Sequence, residues 1–185
     1  LKNTDRSNSL WMTPIEGSKA LFVTEDPLDA IAHSQLFPGA RYAYLCTGGT
    51  STKAQREMIH SFSQKFKLPI ILGNDNDLAG QLENFKLAYH TANIEYAINS
   101  KTQRVLLTVN GAEREWGKDE IVAALQAVMK QRPNMILSIP WAKDWNDDLR
   151  SSKKSISLRI AENMVRAQIE TTKSEQRGMI AGKLP

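Results

Sequence analysis

Short apolar runs punctuate this chain, and apolar residues recur at helical spacing between them. The runs Ala20–Thr24, Tyr42–Cys46, 69–72 and 135–139 each predict a buried strand, and 103–109 is a further strand candidate that ends at an Asn110-Gly111 turn. Asp26 suits a helix N-cap and Pro27 the first helical position, with Leu28, Ile31, Ala32 and Leu36 on the apolar face until Pro38-Gly39 stops the helix. The segment 47–52 reads as a glycine turn followed by a helix to about residue 65. Asp77 caps a long helix predicted to reach about residue 94, with Leu78, Leu82, Phe85 and Tyr89 inward. Lys118–Gln131 is helical, with Ile121, Leu125 and Val128 inward, and a last helix is expected from residue 155 to about 172. Residues 1–18 read as an irregular lead-in in which Trp11 and Met12 pack on the domain. Strands alternating with helices, with no internal repeat, predict an α/β fold: a mostly parallel sheet with helices on both faces.

Two of the apolar runs end in acids, and this changes the picture from fold to chemistry. Glu25 closes the first run, with Asp29 one helical turn on. Asp75 and Asp77 follow the Ile70-Ile71-Leu72 run, bracketed by Gly73 and Gly80. Ligands bind at the carboxyl edge of a parallel sheet. Acids gathered there offer hard oxygen ligands suited to Mg²⁺. Two readings stay open for Asp29 and Asp77: metal or substrate contact, or the ordinary work of offsetting a helix dipole and capping a first turn. Glu25 caps nothing obvious, and a carboxylate among apolar residues is costly unless paired or metal-bound. The turn at Gly48, Gly49 and Thr50 could present amides and hydroxyls to a phosphate. It lacks the lysine of a P-loop, and a plain connector is the alternative.

Composition narrows the classes. A chain of 185 residues with 41% hydrophobic content supports one domain and an appendage. No apolar run is long enough to span a membrane, so no membrane partner is expected. The single cysteine, Cys46, excludes an internal disulfide and a cysteine zinc cluster, and a cytoplasmic setting is the simple expectation. The chain, which starts at Leu1 and ends at Pro185, reads as a fragment of a larger protein whose other domains would be partners. Lys and Arg total 24 against 20 acids, and the excess is concentrated after residue 150. There Lys153, Arg159 and Arg166 are candidates to touch nucleic-acid phosphates, while Ile156, Leu158 and Ile160 suggest that the other face packs. An ordinary solvated helix is the alternative. His33, His60 and His90 lack ligand spacing and read as surface or core fillers. Trp141 and Trp145 are expected to pack against the sheet edge rather than stack on bases.

Taken together the motifs resemble a TOPRIM domain, the metal-binding module of bacterial primases, topoisomerases and related nucleases. The resemblance is carried by Val23-Thr24-Glu25-Asp26-Pro27-Leu28-Asp29-Ala30, by Leu45-Cys46-Thr47-Gly48-Gly49-Thr50, by Asp75-Asn76-Asp77-Leu78-Ala79-Gly80 and by Lys143-Asp144-Trp145-Asn146-Asp147-Asp148-Leu149. The last run is similar to those of primase-like proteins of plasmids and mobile elements that act in conjugation and mobilisation. The resemblance covers about 19–150, with 98–134 as an insert or elaborated edge. It implies a Rossmann-like sheet and Mg²⁺ (or Mn²⁺) held by Glu25, Asp75 and Asp77. Asp29, Asp144 and Asp147 come second as ligands or orienting groups. The implied chemistry is phosphoryl transfer on single-stranded or nicked DNA or RNA, as in replication primer synthesis or strand nicking and rejoining. Asn146 stands where the closing pattern has an acid, a departure at any second metal position there. The zinc-binding and catalytic-core modules of a full primase are not visible. Two alternatives accompany this reading: a non-catalytic module that binds metal and nucleic acid or protein, and a small-nucleotide binder.

Overall fold

The computed structural model of the chain describes residues 6–151. The elements run β1 (Trp11–Met12), β2 (Ala20–Thr24), α1 (Pro27–Leu36), β3 (Tyr42–Cys46), α2 (Lys53–Phe66), β4 (Ile70–Leu72), α3 (Leu78–Ala88), β5 (Ile94–Asn99), β6 (Arg104–Val109), β7 (Ala112–Gly117), α4 (Lys118–Gln131), β8 (Met135–Leu137) and α5 (Trp145–Arg150). Strands β1-β3-β2-β4-β8 form one sheet, in which only β1 runs antiparallel to its neighbour. Strands β5-β6-β7 form a separate antiparallel meander.

Period-two alternation within each apolar run sets the layers. Leu21, Val23, Leu45, Ile70 and Leu72 face a core shared with α2, α3 and α4 through Ile59, Leu82, Phe85, Ile121 and Leu125. Phe22, Tyr42, Tyr44, Ile71 and Ile136 face the other way, toward Ala30 and Phe37 of the α1 region and Trp145 of α5. Both faces are therefore dry, which is why these strands read as continuous apolar runs. Each fully buried Leu, Ile or Phe contributes about 1.5–3 kcal/mol. The helices on two faces and the mostly parallel order give the α/β, Rossmann-like arrangement the sequence predicts.

Several details differ from expectation. Helix α3 stops at Ala88 rather than near residue 94, and the Tyr89 amide closes it on the Phe85 carbonyl. Ile94, Tyr96 and Ile98 alternate and pair with β6, so a period-two signal follows the helical one after the short polar turn His90-Thr91-Ala92-Asn93. Helix α1 buries Asp29, Ala30, Ala32 and His33, while Leu28 and Ile31 are exposed. The i, i+4 row Asp29-His33-Phe37 faces the sheet because His33 inserts among Phe22, Phe37, Tyr44 and Trp145. The lead-in is not wholly irregular: Trp11 and Met12 pair with Cys46 and Leu45, and both side chains stay exposed. The expected 155–172 helix, with Lys153, Arg159 and Arg166, lies outside the described residues. No helix among the described residues is long and apolar enough to cross a membrane.

Candidate functional site

Strand adjacency decides which acids meet. β2 and β4 are direct parallel neighbours, with Val23 opposite Leu72. The chain segments leaving them, Glu25 and Asp75-Asn76-Asp77, therefore emerge side by side at one carboxyl edge. Backbone bonds hold four segments together there. The Gly73 amide donates to the Val23 carbonyl at 2.8 Å, the Gly48 amide to the Glu25 carbonyl at 2.8 Å, and the Asn76 amide to the Lys143 carbonyl at 2.7 Å. The first acid cluster, the glycine turn, the second cluster and the closing Lys-Asp run are thus joined at one edge.

The loop that carries Asp75 is fixed from below. Gln81 donates from Nε2 to the Asp75 carbonyl at 2.8 Å, and Asn84 accepts from the Asn74 side chain at 2.9 Å. Asn84 also donates to Gln81 at 3.3 Å, and both are fully buried. Asp77 caps α3, accepting from the Gly80 amide at 2.9 Å. Gly80 is required by close approach, since a Cβ there would lie 2.3 Å from the Asp75 carbonyl oxygen and 2.6 Å from its nitrogen. Gly73 is equally confined, with Phe22 ring carbons 2.2 Å from a Cβ position. The Trp145 indole N–H donates to the Gly73 carbonyl at 2.7 Å, so this tryptophan packs as expected.

Electrostatics mark the edge as crowded with negative charge. Burial first, then the neighbouring charges of Asp29, Asp77, Glu25 and Asp144, push the Asp75 carboxyl up to about 7. Burial likewise raises Asp29 to about 6, reinforced by Asp144, Asp26 and Glu25 and opposed by the Asn146 amide. Glu25 is also raised, by burial and then by Glu83, Asp77 and Asp26, with Lys143 opposing. Two lysines offset the charge. Lys143 Nζ lies 3.8 Å from Asp77 Oδ2, and Lys118 Nζ reaches the Asn76 carbonyl and side-chain oxygens at 3.4 and 3.3 Å. Among the described residues no group of three or more His, Cys, Asp or Glu is gathered tightly enough to hold a metal ion. The donor set nonetheless fits a hard cation: all its oxygens are carboxylate, and the carboxyls of Glu25 and Asp75 have raised proton affinity. Side-chain rotation would have to bring the carboxylates together around the ion.

The second-tier residues have structural duties. Asp29 accepts from the Asn146 amide at 3.3 Å and so ties α1 to α5. Asp144 caps α5, accepting from the Asp147 amide at 2.7 Å, and Asp147 sits in its first turn. In the glycine turn Gly48 and Gly49 have φ of 72° and 122°, conformations that favour glycine. The Gly48 amide is already used by Glu25, so the Gly49 and Thr50 amides are those left to meet a phosphate. Sequence reasoning missed two buried acids. Glu83 accepts from the Ser51 amide at 3.0 Å, the Ser51 hydroxyl at 2.6 Å and Lys86 at 2.6 Å, which anchors the end of the glycine turn to α3. Asp148 accepts from the Trp141 and Ala142 amides, each at 2.7 Å. Glu83 stands among Gln81, Asn84 and Lys86, so its local sequence gives no signal of burial.

A family model described as Toprim-like matches residues 22–104. The match supports a TOPRIM domain, and such domains in general bind metal and process nucleic acid. It spans Glu25, Asp29, the glycine turn, Asp75 and Asp77, and it stops before the Lys143–Leu149 run. No curated protein and no solved structure gives a significant match.

Proposed function

We propose that this chain is a phosphoryl-transfer domain of a cytoplasmic DNA-processing protein, acting on nucleic acid with Mg²⁺ (or Mn²⁺) held by Glu25, Asp75 and Asp77. The observation that carries the reading is the β2–β4 pairing, which sets Glu25 beside Asp75-Asn76-Asp77. A bound divalent cation would stabilise charge on the phosphoryl oxygens. Alternatively Glu25, whose proton affinity is raised, would leave the cation to Asp75 and Asp77 and hold or release a proton at the reacting oxygen. Lys143 and Lys118 supply positive charge at the rim, and the Gly49 and Thr50 amides can orient a phosphate. The finer assignment is to primase-like proteins of plasmids and mobile elements, with 19–150 as the working unit, and the Lys143–Leu149 run supports it. The test is metal-dependent primer synthesis, cleavage and rejoining on single-stranded and nicked DNA. Turnover that requires Mg²⁺ or Mn²⁺ and disappears in Asp75→Ala is expected; metal-independent turnover, or none in any assay, sinks the catalytic reading.

A second reading has its own observation. Lys143 pairs with Asp77, and Asp77 and Asp144 both cap helices. A non-catalytic module that binds metal and nucleic acid or protein would use the acids in this way. It predicts a metal-induced rise in Tm without turnover.

A further inference from the structure

The two tryptophans of the closing segment part company in the structure. Trp145 is 2% exposed and bonded to the Gly73 carbonyl, whereas Trp141 is 68% exposed, the most exposed of the large hydrophobic side chains among the described residues. The Trp141 backbone is not loose. Its amide and that of Ala142 are both held by Asp148, a carboxylate that is 3% exposed. Two residues on, the Lys143 carbonyl accepts from the Asn76 amide between the two metal-site aspartates. A two-residue step spans at most about 7 Å, so the indole is anchored within a nucleotide's reach of the acid edge. Lys143, with its side chain 61% exposed, and Lys118, on Asn76, bring cations to that edge.

A tethered backbone presenting a solvated indole near two lysines and an acid-rich sheet edge has a specific chemical match. The acids repel a phosphate backbone except where the lysines stand. The indole needs a flat, apolar partner. We propose that Trp141, with Lys143 and Lys118, forms a single-strand nucleic-acid subsite: the indole stacks on an unpaired base and the lysines hold the flanking phosphates. Stacking of this kind accepts any base and requires it to be unpaired, so duplex is discriminated against. The fixed loop lowers the ordering cost of binding. The subsite rests on the nucleic-acid reading above but not on its chemistry.

The test is fluorescence anisotropy of the full chain with labelled short oligo-dT, oligo-rU and a blunt duplex, in EDTA so that metal chemistry plays no part. Trp141→Ala is expected to weaken single-strand binding by about tenfold or more. Trp141→Phe should keep most of the affinity, and duplex binding should be unmoved by either change. Charge reversal at Lys143 and Lys118 should flatten the salt dependence. A preference for oligo-dT or oligo-rU would assign the sugar. A folded Trp141→Ala chain that binds oligo-dT and oligo-rU as the parent does, an equal loss on duplex, or a parent chain that binds neither single strand overturns the subsite. An inactive enzyme that still shows the Trp141 effect sinks the catalytic reading alone.

Discussion

The two sheets solve different problems with different chemistry. In β2, β3 and β4 every residue is buried, and the segments leaving β2 and β4 carry the acids. In the β5–β7 meander most residues of β5 and β7 are exposed, and only Val105 and Leu107 of β6 are fully buried. Those two join the main core beside Leu82 and Phe85. The outer face instead carries Arg104, paired with Glu115 and Glu120, while Arg114, in register with Leu107 and lying over Trp116, pairs with Glu120 from the other face. The meander covers α3: Tyr96 lies under Lys86 and Trp116 against Phe85. The first sheet positions the candidate site and the second keeps the helix behind it dry.

The largest effect should come from removing the cover. Replacing residues 94–117 by a short linker would open the face of α3 that carries Phe85, Lys86 and the buried Glu83–Lys86 pair. The loss comes from apolar surface: Val105, Leu107 and Trp116 are removed and Leu82 and Phe85 uncovered, at about 1.5–3 kcal/mol for each large side chain that loses its burial. Loss of cooperative thermal melting is expected. A native-like melt in the shortened chain would show the meander to be dispensable.

Point truncations sharpen the same contrast. Leu72→Ala in β4 and Leu107→Ala in β6 both remove fully buried side chains and should each cost about 2–5 kcal/mol by denaturant melts. Leu106→Ala, at a position 40% exposed on the meander's outer face, should change stability by less than about 0.5 kcal/mol. Equal costs at Leu106 and Leu107 would erase the distinction between the faces. Gly80→Ala is intermediate. Its Cβ meets the Asp75 backbone, so a loss of about 1–3 kcal/mol is expected. A weaker Mg²⁺-induced rise in Tm should accompany it.

How much of this was legible follows from the same contrast. Strands buried on both faces announce themselves as apolar runs, so β2 and β3 and the caps Asp26 and Asp77 were read from sequence where the structure has them. The glycine turn and both acid clusters were legible because each sits at the end of such a run. The meander was half hidden. Arg104–Val109 alternates around buried Val105 and Leu107, but β7 is Ala-Glu-Arg-Glu-Trp-Gly, whose inward partner is mainly Trp116. β5 was absorbed into the preceding helix because the break between Tyr89 and Ile94, His90-Thr91-Ala92-Asn93, holds neither Gly nor Pro to mark the stop. Glu83 and Asp148 were missed for another reason: their partners, Ser51 and the Trp141 and Ala142 amides, are set by tertiary packing or backbone geometry and not by spacing.

Titration should separate the two regions by sign. Asp75 and Asp29 have folded values raised to about 7 and about 6 above an unfolded value of 3.8. The folded state therefore holds more protons, and without metal this part of the stability is present below pH 4 and lost as pH rises toward 7. Asp75→Asn should then be more stable than the parent at pH 8 in EDTA, with the advantage gone near pH 4. Added Mg²⁺ should narrow the gap at pH 8 by stabilising only the parent. Thermal melts across pH with and without metal read this directly, and a parent chain that gains stability from pH 4 to 8 through this edge would contradict the crowding.

The smallest effect belongs to the meander's ion pairs, and it runs the other way. Glu120 lies below its ordinary value of 4.5, chiefly because its carboxylate accepts from the Gly117 amide at 2.8 Å, and then because of Arg104 and Arg114. A depressed carboxyl contributes stability that is present above the unfolded value and lost as pH falls through the folded one. The group is solvent-facing, so salt screens the two arginines, while the Gly117 bond at the start of α4 is local and short-ranged. Glu120→Gln keeps an acceptor for Gly117 and removes the charge. Its Tm should fall slightly at pH 7 in low salt, and the difference should vanish at pH 3. In high salt the difference should shrink without vanishing, because the Gly117 amide bonds a carboxylate better than an amide oxygen. A loss that ignored both salt and pH would place the role of Glu120 in packing, and the meander's outer face would then resemble the core more than its exposure suggests.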